Sequence, residues 1–196
     1  MGARDKLVDS AIDLMRRYGI AGTGVAQLLE HSGISRRSIY LNFPGGKAEL
    51  VAEATRAAGA ASSALIRTFA AGADVVSGIA AVPGIWREAL IASDFSAGCP
   101  IVAAALGRAE SAAAADAAGD VFAEWEDILT ERLRAERVDP ETARTLATTI
   151  IAAVEGAIVM SLAQRSAEPL ERTGKQLTAL VAQYTRAAAT ANRHLA

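Results

Sequence analysis

Apolar side chains recur along this chain at spacings of three and four, and strict alternation is nearly absent. The first run is Leu7, Val8, Ala11, Ile12, Leu14, Met15 and Tyr18, which form one stripe of a helix expected over residues 3–18. Asp5, Asp9, Asp13, Arg16 and Arg17 fall on its wet side, acids early and bases late, as the helix dipole favours. Gly19 stops this helix, and Gly22 bends the chain into Thr23.

Val25, Leu28 and Leu29 share one face of a second, short helix. Gly33 follows where a left-handed residue ends a helix without steric cost. Ile34 plugs the corner, and Ser35 is a natural N-cap for a third helix running to Asn42. Ile39 and Phe43 share a face and pack inward, which leaves Arg36, Arg37, Ser38, Tyr40, Leu41 and Asn42 pointing out. A glycine-turned helix pair with such an outward face is the sequence form of a helix-turn-helix. Arg36 and Arg37 each have two readings. Bidentate pairing with guanine supplies about 1–3 kcal/mol of base discrimination, whereas neutralising a phosphate supplies none. His31 reads as an exposed helix residue.

Pro44-Gly45-Gly46 turns the chain into a long helix over residues 47–71. Lys47 at its start suits a phosphate by charge and by helix dipole together. The Gly-Gly-Lys string is not a phosphate loop, since Leu41 stands where the earlier glycine belongs and Ala48 replaces the Ser or Thr. Helices are expected next over 74–93, kinked or split at Pro83-Gly84, and from Pro100 to about Arg108. A helix over 112–136 carries Val121, Phe122, Trp125, Ile128, Leu129 and Leu133 on one stripe. Asp139 caps another with Pro140 in its first turn, running to about Ser166. The last starts at Pro169, with Leu177, Leu180, Val181 and Tyr184 as its buried line. The fold class is therefore all-α.

Charge sharpens the division of labour. The whole chain carries −2, but residues 1–50 hold seven cations and five anions, so a mildly basic end sits on an acidic body. That suits specific DNA binding by a small module and excludes a general polyanion binder. The single cysteine, Cys99, forms no internal disulfide, which fits a reducing cytoplasm, and it reads as a small buried apolar residue. The first residues hold charges and no apolar core, so no secretory leader is expected. The greasiest stretch, residues 147–163, is short for a bilayer span and broken by Glu155, so no membrane insertion is expected.

Catalysis finds little support. With only His31 and His194, neither a metal cluster nor a Ser-His-acid set suggests itself, and no cofactor is expected. Glu124 and Glu126 face opposite ways on a helix and read as solvated. The helix over 140–166 is apolar nearly all round, so a second copy of the chain is expected to cover one of its faces. Phe69, Trp86, Phe95, Phe122 and Trp125, with Leu90, Val102 and Leu106, read either as plain core or as the wall of an apolar ligand pocket. Glu155 needs a partner if buried: an arginine such as Arg87 or Arg108, or a ligand.

Several of these motifs converge on one family. The helix Leu7–Tyr18 closing on Gly19, Thr23-Gly24-Val25, Ser32-Gly33-Ile34-Ser35, and Ile39-Tyr40-Leu41-Asn42-Phe43 with Lys47 resemble the DNA-binding domain of TetR-family bacterial regulators. Phe43-Pro44-Gly45-Gly46-Lys47, Ser93-Asp94-Phe95 and Ala97-Gly98-Cys99-Pro100 are similar to its lincomycin-resistance-type branch, whose members respond to flavonoids and other lipophilic compounds.

The resemblance implies a DNA-binding domain over 1–46 and a ligand-binding and dimerisation domain over 47–196. It implies DNA contacts from Thr23, Ser35, Arg36, Arg37, Ser38, Tyr40, Leu41, Asn42 and Lys47. Gly24 replaces the usual hydroxyl residue and Arg37 a frequent glycine, so a guanidinium takes the place of close backbone approach. The resemblance further implies a homodimer through the last two helices, bound to near-palindromic operator DNA and released by a small hydrophobic or aromatic effector. The contrasting reading is a helical ligand-binding or dimeric interaction protein without sequence-specific DNA binding.

Overall fold

The computed structural model describes residues 2–72 and 74–193. His194 lies outside them. The described residues form helices and turns only: α1 (Ala3–Gly22), α2 (Val25–Ser32), α3 (Arg36–Asn42), α4 (Gly46–Ala70), α5 (Val75–Ala92), α6 (Pro100–Leu106), α7 (Ala112–Ala135), α8 (Pro140–Gln164) and α9 (Glu168–Arg193). The chain clusters into two compact units. Residues 1–62 and 96–122 make the first, and 63–95 with 123–196 the second. It passes between them three times, twice inside α4 and α7 and once at the peptide bond joining Phe95 to Ser96.

In the first unit α1 packs against α2, α3 and α6. Leu7, Ala11, Leu14 and Met15 supply its buried face, as the stripe predicts. Gly19 breaks it with φ of 68° and ψ of −178°, and residues 20–22 add one more turn. Gly59 is a packing glycine, because a Cβ there would lie 2.2 Å from Val121 Cγ2. Gly107 is another, 2.5 Å from the Ile20 side chain by the same test. Cys99 is buried and caps α6 ahead of Pro100.

In the second unit α9 packs along α5 and α8. Val75, Ile79, Leu129, Leu133, Leu146, Ile150, Leu177 and Val181 form its main core, and Leu90, Ala157, Ile158 and Leu170 a smaller one. Asp74 and Asp139 cap α5 and α8 by accepting from the backbone N–H of Ser77 and Thr142. Pro83 does not split α5, which runs unbroken from Val75 to Ala92.

Two further expectations are corrected. Tyr184 lies 39% exposed rather than in the buried line, because the core reaches along that stripe of α9 to Leu177 and Val181 and stops short of the next turn. Glu124 and Glu126 are not simply solvated. Glu124 accepts from Ser63 Oγ at 2.7 Å and from Arg67, and Glu126 accepts from Thr148. Ser63 also takes the Trp125 indole N–H at 3.1 Å. By length and composition α5 and α8 would each reach across a membrane. Here each lays residues into protein core: Val75, Ile79 and Leu90 from α5, Leu146, Ala147 and Ile158 from α8.

Candidate functional site

The helix-turn-helix is built from three local choices. Gly24 opens α2 with extended backbone, and Gly33 closes it at φ of 66°, where a side chain would be strained. Ser35 caps α3, its Oγ accepting from Ser38 N–H at 3.3 Å. Ile39 and Phe43 are then driven inward, at 0% and 1% exposure, each worth about 1.5–3 kcal/mol of burial. Arg36, Arg37, Tyr40 and Leu41 are left on the solvent side, Leu41 at 68% exposure. An aliphatic side chain that exposed on a rigid two-turn helix is available for contact with a thymine methyl or a partner surface.

Other groups hold this face in place. The Arg4 guanidinium lies 5.3 Å from the centre of the Phe43 ring and pairs with Glu53 of α4 at 2.7 Å. Hydrogen bonds from Arg4 and then Arg56 hold the Glu53 carboxyl below its ordinary range. The Tyr40 ring lies over Gly46, whose φ of 66° starts α4; a Cβ there would stand 3.3 Å from Tyr40 Cε1. Lys47 Nζ donates to the Ile20 carbonyl at 2.8 Å, which ties the start of α4 to the last turn of α1. Two of its three N–H groups remain for a phosphate.

Not every residue anticipated for DNA contact presents itself. Thr23 is fully buried, and its hydroxyl donates to the Gly19 carbonyl at 2.8 Å, so it stabilises the α1–α2 corner and offers solvent no donor. Asn42 is half-buried and its amide donates to the Ser38 carbonyl at 2.8 Å. Ser38 is half-buried beside Ser35, with hydroxyls 3.1 Å apart. His31 is tied to Asp13, Nε2 to Oδ2 at 3.1 Å, and Asp13 also accepts from Arg17 Nε at 3.0 Å. The Arg17 pairing was legible as an i,i+4 match on α1; the His31, Arg4 and Lys47 pairings join residues distant in sequence and left no local signal.

For the effector residues, the second unit brings Trp86, Leu90 and Phe95 into one apolar cluster with Ala157, Ile158 and Leu170. Phe69 is half-buried on α4 and Trp125 buried on α7. Glu155 is half-buried on α8. Arg87 stands 3.4 Å from Glu171, and Arg108 pairs with Asp116 at 2.8 Å. Val102, Leu106 and Phe122 belong to the first unit. Leu106 is 82% exposed at the end of α6, and so lines no apolar wall here.

A capped two-turn helix with a polar and basic outer face, carried by an all-helical chain, defines a helix-turn-helix regulator. Residues 7–54 match the family model for bacterial regulatory proteins of the tetR family. Residues 75–176 match that for the C-terminal domain of LmrA/YxaF-like transcriptional regulators. An uncharacterized HTH-type transcriptional regulator of Mycobacterium tuberculosis (strain ATCC 25618 / H37Rv) is 33% identical, covering 92% of this chain and 94% of its own. The HTH-type transcriptional regulator LmrA of Bacillus subtilis (strain 168) is 28% identical over 86% of this chain and 90% of its own. The regulatory protein TetR from Rhodobacter sphaeroides shares the fold at a TM-score of 0.81, with 17% identity over 90% of this chain and 97% of its own. The chain belongs to the TetR family of transcriptional regulators, in its LmrA/YxaF-like branch. It is a regulator, not an enzyme.

Proposed function

We propose that this protein is a cytoplasmic repressor that binds near-palindromic operator DNA as a homodimer and is released by a small lipophilic or aromatic effector. The observation that carries this reading is the division of residues 36–43 into a buried pair, Ile39 of α3 and Phe43 just past its end, and an outer face of Arg36, Arg37, Tyr40 and Leu41. Arg37 reads a base edge; Ser35, Arg36, Ser38, Tyr40, Asn42 and Lys47 position the helix on the phosphates, and Leu41 packs at the groove. Thr23 drops out of this set. Residues 1–46 act as the reading head and 47–196 as the sensing and pairing body.

Pairing is supported by the outer face of α8. Thr145, Thr149, Ala152, Gly156, Val159, Met160 and Ala163 form an exposed stripe, with Val159 and Met160 about half exposed at 51% and 50%. A two-fold dimer sets its reading helices on half-sites about 34–36 Å apart. The aromatic cluster of Trp86 and Phe95 supports an apolar effector, which acts by preferring one of two states of the dimer.

The test is selection of DNA by the purified protein from fragments of its own genome, followed by titration at several salt concentrations. A regulator enriches one near-palindromic sequence and loses affinity linearly in log salt. Retention of all fragments alike, or of none, would end the reading.

A further inference from the structure

We propose that Arg4 is a positioning residue for α3: a guanidinium held by Glu53 pins the Phe43 ring, and operator affinity depends on that pin although Arg4 touches no DNA. This rests on the regulator reading above. Every residue involved lies in the first unit. At seven residues α3 is too short to hold itself, since isolated helices shorter than about 12–15 residues are marginal in water. Ser35 caps its start, and Ile39 is the residue it buries. One buried side chain leaves a two-turn helix free to pivot about that point. The second anchor is Phe43, just past the end, whose N–H donates to the Ile39 carbonyl at 2.7 Å and whose side chain is 1% exposed. What fixes the Phe43 ring therefore fixes how Arg36, Arg37 and Leu41 are presented.

The Arg4 guanidinium lies 5.3 Å from the centre of that ring, and the attraction has direction because the ring's face is its negative part. A half-exposed arginine on its own would not stay there, since its long side chain has much rotamer freedom to lose. Glu53 of α4 holds it: Arg4 Nη2 donates to Glu53 Oε1 at 2.7 Å. The other carboxylate oxygen accepts from Arg56 Nε at 3.3 Å and Nη2 at 3.1 Å. Hydrogen bonds from Arg4 and then Arg56 keep the carboxyl below its ordinary range, so the anion persists at neutral pH. Arg56, Glu53, Arg4 and Phe43 thus form one chain of contacts from α4 through the first turn of α1 to the end of α3. Arg4 spends its charge on the carboxylate and the ring, which leaves the phosphates to other cations.

The test uses the full chain as wild type, Arg4→Gln, Arg4→Lys and Glu53→Gln. Hydrogen–deuterium exchange is read on the free protein, and binding at several salt concentrations on the duplex that wild type selects from a randomised library. Arg4→Gln is expected to speed exchange at residues 39–43. It should weaken binding about two- to fivefold, which is about 0.5–1 kcal/mol, with the salt slope unchanged. Arg4→Lys keeps a cation for both ring and carboxylate and should recover most of the loss. Glu53→Gln is the sharpest arm. Removing an anion from a DNA-binding unit strengthens binding if its charge alone matters. The pin predicts weaker binding instead, because Arg4 loses the group that holds it. A salt slope reduced by about 1 in Arg4→Gln would make Arg4 a phosphate ligand and overturn the proposal. Tighter binding in Glu53→Gln, or unchanged binding in Arg4→Gln, would overturn it as well. A wild-type chain that selects no DNA would overturn the regulator reading, and exchange at residues 39–43 would still decide whether Arg4 pins α3.

Discussion

The Pro83 ring sits in the notch left by Gly174, so close that a β-carbon at 174 would stand 2.1 Å from Pro83 Cγ. A proline ring has little freedom to yield. Gly174→Ala is therefore expected to destabilise the protein by about 1–2 kcal/mol, overpacking outweighing the gain in helix propensity. Circular dichroism melts should show a drop of about 2–8 °C at this chain length. Pro83→Ala in the same chain should recover most of the loss, and additive losses would show that the two residues do not share one contact.

Arg37→Ala and Lys47→Met separate sequence reading from phosphate binding. Arg37→Ala should relax preference at one operator position, with a loss of about 1–3 kcal/mol confined to the preferred base. Lys47→Met should weaken all sequences alike and reduce the salt slope by about 1. Binding to a randomised operator library at several salt concentrations checks both. Unchanged base preference in Arg37→Ala would remove that residue from readout.

Val159 and Met160 project from α8 half exposed. Replacing both by Glu should convert a dimer into a monomer, because each charge would have to be desolvated at the interface. Light scattering coupled to size exclusion reads the mass directly. A dimer of unchanged affinity in the double variant would place the interface elsewhere.

Four carboxylates are held below their ordinary values. Glu124 is stabilised as the anion first by Ser63 and then by Arg67, Glu53 by Arg4 and Arg56, Asp74 by Ser77 and Asp139 by Thr142. Depressed folded values mean that the unfolded chain takes up protons first. Their stabilisation is complete above the ordinary value of 4.5 for Glu and is lost as pH falls from there through the depressed folded values. Melting temperature should hold level down to about pH 5 and then fall, with a shallower fall in Glu124→Gln. An equally steep fall in that variant would leave the Ser63–Arg67 site without a part in acid unfolding.

The helices were legible because their signals are local. Gly33, Ser35, Asp139 and Pro140 mark their termini by chemistry that acts within one turn. Ile39 and Phe43 were legible as the inward pair for the same reason. What escaped depends on distant residues. Thr23 is a local exception: expected among the DNA contacts, it is buried, because the break at Gly19 four residues back turns a carbonyl toward it. Pro83-Gly84 was expected to kink or split its helix, yet α5 runs on through Pro83, whose ring lies beside the gap at Gly174, about ninety residues further along the chain. Tyr184 shared its periodicity with Leu177 and Val181, and periodicity cannot say which end of a stripe the neighbouring helix reaches. The left-handed backbone at Phe95, with φ of 52°, left no trace in the sequence, since a phenylalanine there predicts ordinary backbone.

The seven-residue α3 owes its folding to one cap and two inward side chains. Its outer residues carry little of that duty, and surface substitutions of this kind usually shift stability by less than about 0.5 kcal/mol. Arg36, Arg37 and Leu41 are exposed and are thereby free to vary while the scaffold stays intact. On the reading proposed above, substitutions at Arg37 alter base preference with little loss of stability.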